Sequence, residues 1–129
     1  MAQMNDTILV QVLTDSYRGQ LGRYRSLGTI VNKLLGRLVL SRGDLSQVTA
    51  GFREKQTVLD AIEEERGRVA ELLAQWETRK NGIRPTGAAD ELDAVLQQVT
   101  DAIRNFLDNE TQLQQYLEGI IARSRTTVP

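Results

Sequence analysis

The chain has 129 residues, 40% of them apolar, which is enough for one domain with a single hydrophobic core. It contains neither cysteine nor histidine, so the sequence excludes disulfides, thiolate or imidazole metal ligands, and catalysis by either side chain. Sixteen basic and seventeen acidic residues give a net charge of −1, which does not indicate a general attraction to nucleic acid or to an acidic membrane.

Nothing in the sequence indicates export or membrane insertion. No apolar run approaches the ~20 residues that a membrane-spanning helix needs. The first residues, MAQMNDTILVQVL, lack a basic leader followed by a long apolar stretch. We therefore expect a cytoplasmic protein.

Three long helical segments account for most of the chain. Two loop signals, SRGD at 41–44 and NGIRPTGAAD at 81–90, separate them. Within each segment apolar residues recur at alternating spacings of three and four, the pattern of packed helices. Of 28 such positions 24 are apolar or aromatic, and the exceptions are Gln20, Lys55, Arg66 and Glu110. The sequence predicts one all-α domain over 1–129, with helices at about 6–41, 45–81 and 88–124.

The first and third helices carry opposite charge. Six basic and two acidic residues lie between Asp6 and Arg42, whereas seven acidic residues and Arg104 lie between Thr86 and Ile121. We interpret the two segments as complementary neighbours in one fold. The alternative, a basic nucleic-acid-binding helix, is disfavoured because no aromatic residues alternate with the basic ones for base stacking. No nucleic-acid partner is expected.

The tripeptide Arg42–Gly43–Asp44 matches an integrin-binding motif, but each residue also has a role in a turn between helices. Gly43 can adopt the left-handed conformation that ends a helix. Asp44 with Gln47 three residues later forms the pattern of a capping box, and Arg42 favours a helix C-terminus. We interpret the tripeptide as a tight helix–helix turn and not as an adhesion motif.

The second connection is less well defined by the sequence. We expect Gly82 to end the second helix, Pro85 to lie in the loop, and either Thr86 or Asp90 to cap the third helix. Short connections make consecutive helices antiparallel. The predicted architecture is therefore an antiparallel up-down-up three-helix bundle with coiled-coil-like heptad packing.

Extending the heptad register along all three helices brings two of its charged exceptions together. Lys55 and Glu110 fall about one layer apart near Tyr24, and a charge in a core is costly unless it is paired. We predict a Lys55–Glu110 contact, with the Tyr24 hydroxyl as a candidate third member. Arg66 is expected to extend from the core to the surface, and Trp76 to pack in the core near one end of the bundle.

The sequence contains no recognisable catalytic or metal site. There is no glycine-rich phosphate loop after a strand, no cluster of metal ligands and no nucleophile beside a base. We expect a protein that is not an enzyme and that needs no cofactor.

Two stretches carry a resemblance to a known family. Residues 43–76, GDLSQVTAGFREKQTVLDAIEEERGRVAELLAQW, resemble the central helix of the FlgN family of flagellar export chaperones. Residues 107–124, LDNETQLQQYLEGIIARS, are similar to that family's last helix. The resemblance implies a cytoplasmic chaperone that holds the terminal amphipathic helices of hook–filament junction proteins until export. Two other classes stay open: a structural coiled-coil protein that forms a homo-oligomer or scaffold, and a regulator that binds another protein's helix.

The third helix has a wider apolar face than packing requires, and the register brings its end close to the SRGD turn. We predict that this end binds a partner helix. The candidate residues are Leu35, Val39, Leu107, Leu113, Tyr116, Leu117, Ile120 and Ile121. The alternative is that these side chains only seal the core.

Overall fold

The computed structural model describes residues 5–82 and 87–126. Three long helices, α1 (Asp6–Leu40), α2 (Thr49–Arg79) and α3 (Gly87–Thr126), form the fold. Short 3₁₀ turns at Leu45–Gln47 and Lys80–Gly82 border the two connections. The predicted all-α three-helix bundle is confirmed, and the described residues contain no strand.

The turn after α1 is more specialised than its sequence indicated. The amide of Gly43 donates to the Leu38 carbonyl at 2.8 Å and that of Arg42 to the Val39 carbonyl at 3.2 Å, which is the hydrogen-bond pattern of a Schellman motif. Arg42 has a φ of 58° and Gly43 a φ of 89°, so both residues are left-handed. An arginine in this conformation costs ~1 kcal/mol relative to the usual helical region. The tight turn is as predicted, but Arg42 shares the role assigned to Gly43.

Gly43 is required for a second reason, because α3 packs directly onto it. A Cβ atom at this position would lie 3.1 Å from Cγ1 of Ile120, closer than normal van der Waals contact. The absent side chain therefore allows the end of α3 to reach the turn, as the heptad register predicted.

The predicted start of the second helix is wrong by about one turn. Asp44 caps the 3₁₀ turn, where its side chain accepts a hydrogen bond from the Ser46 amide at 3.0 Å. The α-helix itself begins at Thr49, and the preceding Val48 makes no side-chain cap. The predicted Asp44–Gln47 capping box therefore does not begin α2. A 3₁₀ turn intervenes because Asp44 bonds to the backbone two residues ahead, a competing local pattern for Asp.

At the second connection, α2 ends at Arg79 and the 3₁₀ turn ends at Gly82. Because α3 begins at Gly87, Asp90 lies in its first turn and is not its N-cap. A carboxylate in the first turn still interacts favourably with the helix dipole. The predicted roles of Pro85 and Thr86 fall outside the described residues.

The first helix lies between the other two. Ser16 bonds to Glu65 on α2, whereas Gly51 near the start of α2 packs on Leu34, so α1 and α2 run antiparallel. Arg18 forms an ion pair with Glu91, and the Tyr116 hydroxyl donates to the Leu38 carbonyl, so α1 and α3 run parallel. The basic first helix and the acidic third helix are therefore neighbours, as their opposite charges predicted.

The second and third helices both pack along α1 but stay apart from each other. Among the described residues, no Cα atom of α2 lies within 8 Å of a Cα atom of α3. Helices in close contact have axes ~8–10 Å apart, which normally brings some Cα atoms nearer than that. The bundle is therefore open along the side where α2 and α3 face each other.

The core follows α1 from end to end and includes the predicted Trp76, which is 2% exposed. Most of its buried apolar residues belong to α1 and α3. Among the described residues, the complete set of buried apolar residues is Leu9, Val10, Leu13, Tyr17, Leu21, Tyr24, Leu27, Ile30, Val31, Leu34, Leu38, Val48, Ile62, Val69, Trp76, Ala89, Leu92, Val95, Val99, Phe106 and Leu113. Only Ile62, Val69 and Trp76 of α2 are buried. The second helix is thus attached by a narrower apolar face than the other two.

Candidate partner-binding surface

One end of the bundle, around the turn between α1 and α2, exposes an unusual amount of apolar surface. The described residues include six large apolar side chains that are substantially exposed, and four of them surround this turn. They are Val39 (50% exposed), Leu40 (87%), Leu45 (51%) and Ile121 (52%). We call these four residues the end surface. Clusters of exposed apolar side chains of this kind occur at interaction sites more often than on an average surface.

The packing of the backbone explains why these four side chains surround the same turn. Leu40 and Leu45 flank it in sequence, and the Val39 carbonyl accepts a hydrogen bond from the Arg42 amide inside it. Ile121 follows Ile120, which contacts Gly43. Leu45 is only two residues from Gly43, so it also lies close to the end of α3.

The structure separates the predicted binding residues into three groups. Val39 and Ile121 belong to the end surface, and four others border it as partly buried side chains packed against the core: Leu35, Tyr116, Leu117 and Ile120. Leu113 is 1% exposed, so it belongs to the core and offers no accessible surface. Leu107 is 55% exposed but lies 14 residues before Ile121, ~21 Å away along the helix at ~1.5 Å per residue.

The residues at the end of α3 also face different directions. Tyr116 and Ile120 turn toward α1, where they meet Leu38 and Gly43. At ~100° per residue, Ile121 lies ~140° around the helix from Tyr116 but only ~20° from Glu110, whose side chain meets Lys55, so Ile121 is on the side that faces α2. The predicted patch is therefore divided, and the accessible part comprises Ile121 and its neighbours toward α2.

Two members of the end surface were not among the predicted binding residues, although Leu40 was expected in the same apolar patch. Leu45 was assigned to the heptad core of the second helix, but it lies in the 3₁₀ turn, where the α-helical period does not apply. Leu40 is the last residue of α1, outside the heptad seam. The signal that could have identified both is their position directly beside a tight turn.

A groove follows the open side of the bundle between α2 and α3. Tyr17, Gln20 and Tyr24 of α1 form its floor, and part of it is a depression of about 310 Å³. The walls consist of Arg66, Leu73 and Glu77 from α2 and of Leu96, Val99, Thr100 and Ile103 from α3. Arg66 is exposed at the rim of the groove, beside Tyr17. This agrees with the prediction that its side chain extends from the core to the surface.

An ion pair spans this groove at the position predicted from the heptads. Lys55 Nζ lies 2.5 Å from Glu110 Oε1, and the two side chains are 16% and 28% exposed. The second carboxylate oxygen of Glu110 is buried and has no hydrogen-bond partner among the described residues. The Tyr24 hydroxyl, the candidate third member, makes no hydrogen bond to either residue. The pair thus connects two helices whose backbones do not approach each other.

Three of the four residues of the end surface, Val39, Leu40 and Leu45, lie in a basic part of the chain. Residues 33–54 contain four basic and two acidic residues, although the whole chain has a net charge of −1. Among the described residues, neither Arg37 nor Arg42 makes an ion pair, and both are exposed. Asp44 is occupied by hydrogen bonds from Ser46, which lower the pKa of its carboxyl. This end of the bundle therefore presents cations beside exposed apolar side chains.

A buried polar chain elsewhere in the bundle contains a hydroxyl beside a carboxylate. The Ser16 hydroxyl donates to Glu65 at 2.8 Å and accepts from Gln20 at 3.2 Å. Hydrogen bonds from the Arg68 guanidinium, followed by that from Ser16, lower the pKa of Glu65 to about 2. A carboxylate with so low a pKa is a poor general base. The hydrogen bond between Ser16 and Glu65 joins α1 to α2.

The described residues contain neither a metal-binding cluster nor a helix that could span a membrane. No group of three or more acidic side chains is placed to hold a metal ion. None of the three helices has a stretch that is both long and apolar enough to cross a bilayer.

Comparisons with known proteins do not extend this description. No protein-family model matches the chain, and no match was found among curated proteins or solved structures.

Proposed function

We propose that this protein is a non-enzymatic, cytoplasmic export chaperone that binds a terminal amphipathic helix of a flagellar hook–filament junction protein before secretion. The observation that carries the proposal is the end surface, where four large apolar side chains are about half exposed or more. The resemblance of residues 43–76 and 107–124 to the FlgN family supports the choice of partner.

The proposed mechanism requires only that the protein cover an apolar surface of its client. An isolated amphipathic helix exposes an apolar stripe that promotes premature association, and a complementary apolar surface can cover it. Ile121 and Leu45 lie at the end of the groove between α2 and α3, where neither long helix covers the other. A client helix that packs on these exposed side chains would bury part of its apolar stripe.

The exposure of Ile121 limits how much this residue can contribute to client binding. Complete burial of an isoleucine side chain is worth ~1.5–3 kcal/mol. Since Ile121 is 52% exposed, a client can bury only about half of it. We therefore expect Ile121→Ser to weaken client binding by ~1 kcal/mol, which is about fivefold to tenfold in Kd.

The chain contains a matched control for this variant. Ile8 is 49% exposed, but it lies in the first turn of α1, at the opposite end of the bundle. Ile8→Ser removes the same side chain from an equally exposed position. Binding of a labelled terminal-helix peptide from a junction protein is measured by fluorescence anisotropy, with circular dichroism as the folding check. The proposal requires Ile121→Ser to lose affinity and Ile8→Ser to stay within about twofold of the parent.

The result that contradicts the proposal is equally concrete. If the peptide does not bind the parent protein, or if both isoleucine variants bind it as tightly as the parent, the end surface does not hold this client. Light scattering on the purified chain then tests the scaffold alternative, which requires a stable symmetric oligomer.

A further inference from the structure

The charge around the end surface indicates which amphipathic helix it would accept. The exposed cations Arg37 and Arg42 have no ion-pair partners among the described residues. Arg123 lies at the border of the surface, where its guanidinium is 5.9 Å from the centre of the Tyr116 ring and its Nε donates to the Gly119 carbonyl. Three carboxylates lie nearby: Asp44 is held by Ser46, Glu118 is exposed on α3, and Glu54 lines a depression between α1 and α2 together with Lys33 and Arg37.

The rest of the chain has the opposite charge. Residues 33–54 carry an excess of two basic residues, so the remaining residues carry an excess of three acidic ones, given the total of −1. An acidic ligand is therefore attracted to the turn end and repelled by the remainder of the surface. A basic ligand is attracted to the more acidic remainder of the chain, which includes the acidic residues Asp90, Glu91, Asp93 and Asp101 in the first half of α3. Such complementarity determines partner choice and association rate more than total affinity.

We infer that the end surface selects an amphipathic helix whose apolar stripe is flanked by Asp and Glu side chains. The leucine and isoleucine side chains of the surface cover the stripe, and Arg37 and Arg42 face the flanking carboxylates. Arginine suits this role because its guanidinium can bind a carboxylate through two parallel hydrogen bonds. This inference rests on the proposed function, since it specifies the chemistry of the bound helix.

Two synthetic peptides test the inference on the unmodified protein. Both have the same leucine stripe at helical spacing, and the flanking positions are glutamate in one and lysine in the other. At about 0.1 M salt, where the Debye length is ~10 Å, we expect the glutamate peptide to bind about tenfold more tightly. The preference should decrease as sodium chloride is added, because the contacts are exposed.

Charge reversal then assigns the preference to this end of the bundle. The Arg37→Glu, Arg42→Glu double variant should lose the preference for the glutamate peptide or reverse it. The matched control is Arg23→Glu, Arg25→Glu, which makes the same change in charge on the same helix. The two pairs are ~23 Å apart along α1 at ~1.5 Å per residue, about two Debye lengths. The control should retain the preference, and circular dichroism verifies that each variant is folded.

Each outcome has a separate meaning. Equal binding of the two peptides to the parent, or tighter binding of the lysine peptide, overturns the inference and leaves the proposed function standing. Loss of the preference in both double variants also overturns it, because the selecting charges would then not be at the end surface. If neither synthetic peptide binds and the junction-protein peptide does not bind, the inference and the proposed function are both overturned.

Discussion

The Lys55–Glu110 ion pair allows a direct test of the packing between α2 and α3. Replacing Glu110 by alanine leaves the Lys55 ammonium without its partner in a site where the lysine side chain is only 16% exposed. Breaking a fully buried pair in this way costs ~3–5 kcal/mol. Because Lys55 and Glu110 both keep some contact with water, we expect a smaller loss of ~2 kcal/mol in the free energy of unfolding.

The corresponding change in melting temperature is large enough to measure. At ~2.1 cal/mol/K of unfolding entropy per residue, a chain of this length loses ~7 °C in Tm for ~2 kcal/mol. Thermal unfolding is followed by circular dichroism at a helix-sensitive wavelength. The control is Glu71→Ala, at an exposed position of α2, where a change within ~0.5 kcal/mol is expected. Both variants gain the same helix propensity from alanine, so their difference isolates the ion pair.

A double variant separates the cost of an unpaired charge from the value of the pair. Lys55→Met with Glu110→Leu replaces both charges by apolar groups and removes the buried carboxylate oxygen that has no partner. Such replacements are often neutral or stabilising, so we expect this protein to melt at or above the temperature of the parent. Equal melting temperatures for Glu110→Ala and Glu71→Ala would refute the packing described here.

Three further expectations follow from other parts of the fold. Gly51→Ala should destabilise the protein by ~1 kcal/mol in urea unfolding, because a Cβ atom there would overlap buried Leu34. Gly22→Ala should stabilise it by ~0.5–1 kcal/mol, because a Cβ atom there would meet nothing within 4 Å among the described residues. Destabilisation by both variants would contradict the assigned contacts. The lowered pKa of Glu65 contributes stability that is present above the ordinary carboxyl pKa and is lost as the pH falls from about 4.5 toward about 2. The free energy of unfolding of Glu65→Gln should therefore decrease less than that of the parent over this range. Parallel pH profiles of the two proteins would argue against the Ser16–Glu65–Arg68 contacts. Light scattering should give the mass of a monomer, 14.5 kDa, and a stable oligomer would favour the scaffold function.

Much of the fold could be predicted because helical periodicity is a local property of the sequence. The alternation of three and four residues identified the three helices, and its charged exceptions identified the Lys55–Glu110 contact. The SRGD turn was predictable for the same reason, since glycine and a capping aspartate have well-defined local preferences. The left-handed Arg42 was not, because the conformation costs energy that only the surrounding contacts offset.

The candidate site could be predicted only in part, because the direction of each side chain depends on how the helices pack. Heptads identify an apolar face, but they do not determine which neighbour covers it. Leu113 is therefore buried and Leu107 exposed, although both lie on the wide apolar face of α3. Leu45 is exposed because a 3₁₀ turn changes the direction of its side chain before α2 begins. No local pattern predicted the separation of α2 from α3.

The central position of α1 has a consequence for how the protein opens. Because α2 and α3 each pack on α1 and their backbones do not approach each other, either helix can detach without first separating the other from its partner. Local opening of this kind requires less free energy than global unfolding. The amide hydrogens of α1 should therefore exchange with solvent only when the whole chain unfolds. Those of α2, which has the narrower apolar face, become accessible in a smaller and more frequent motion.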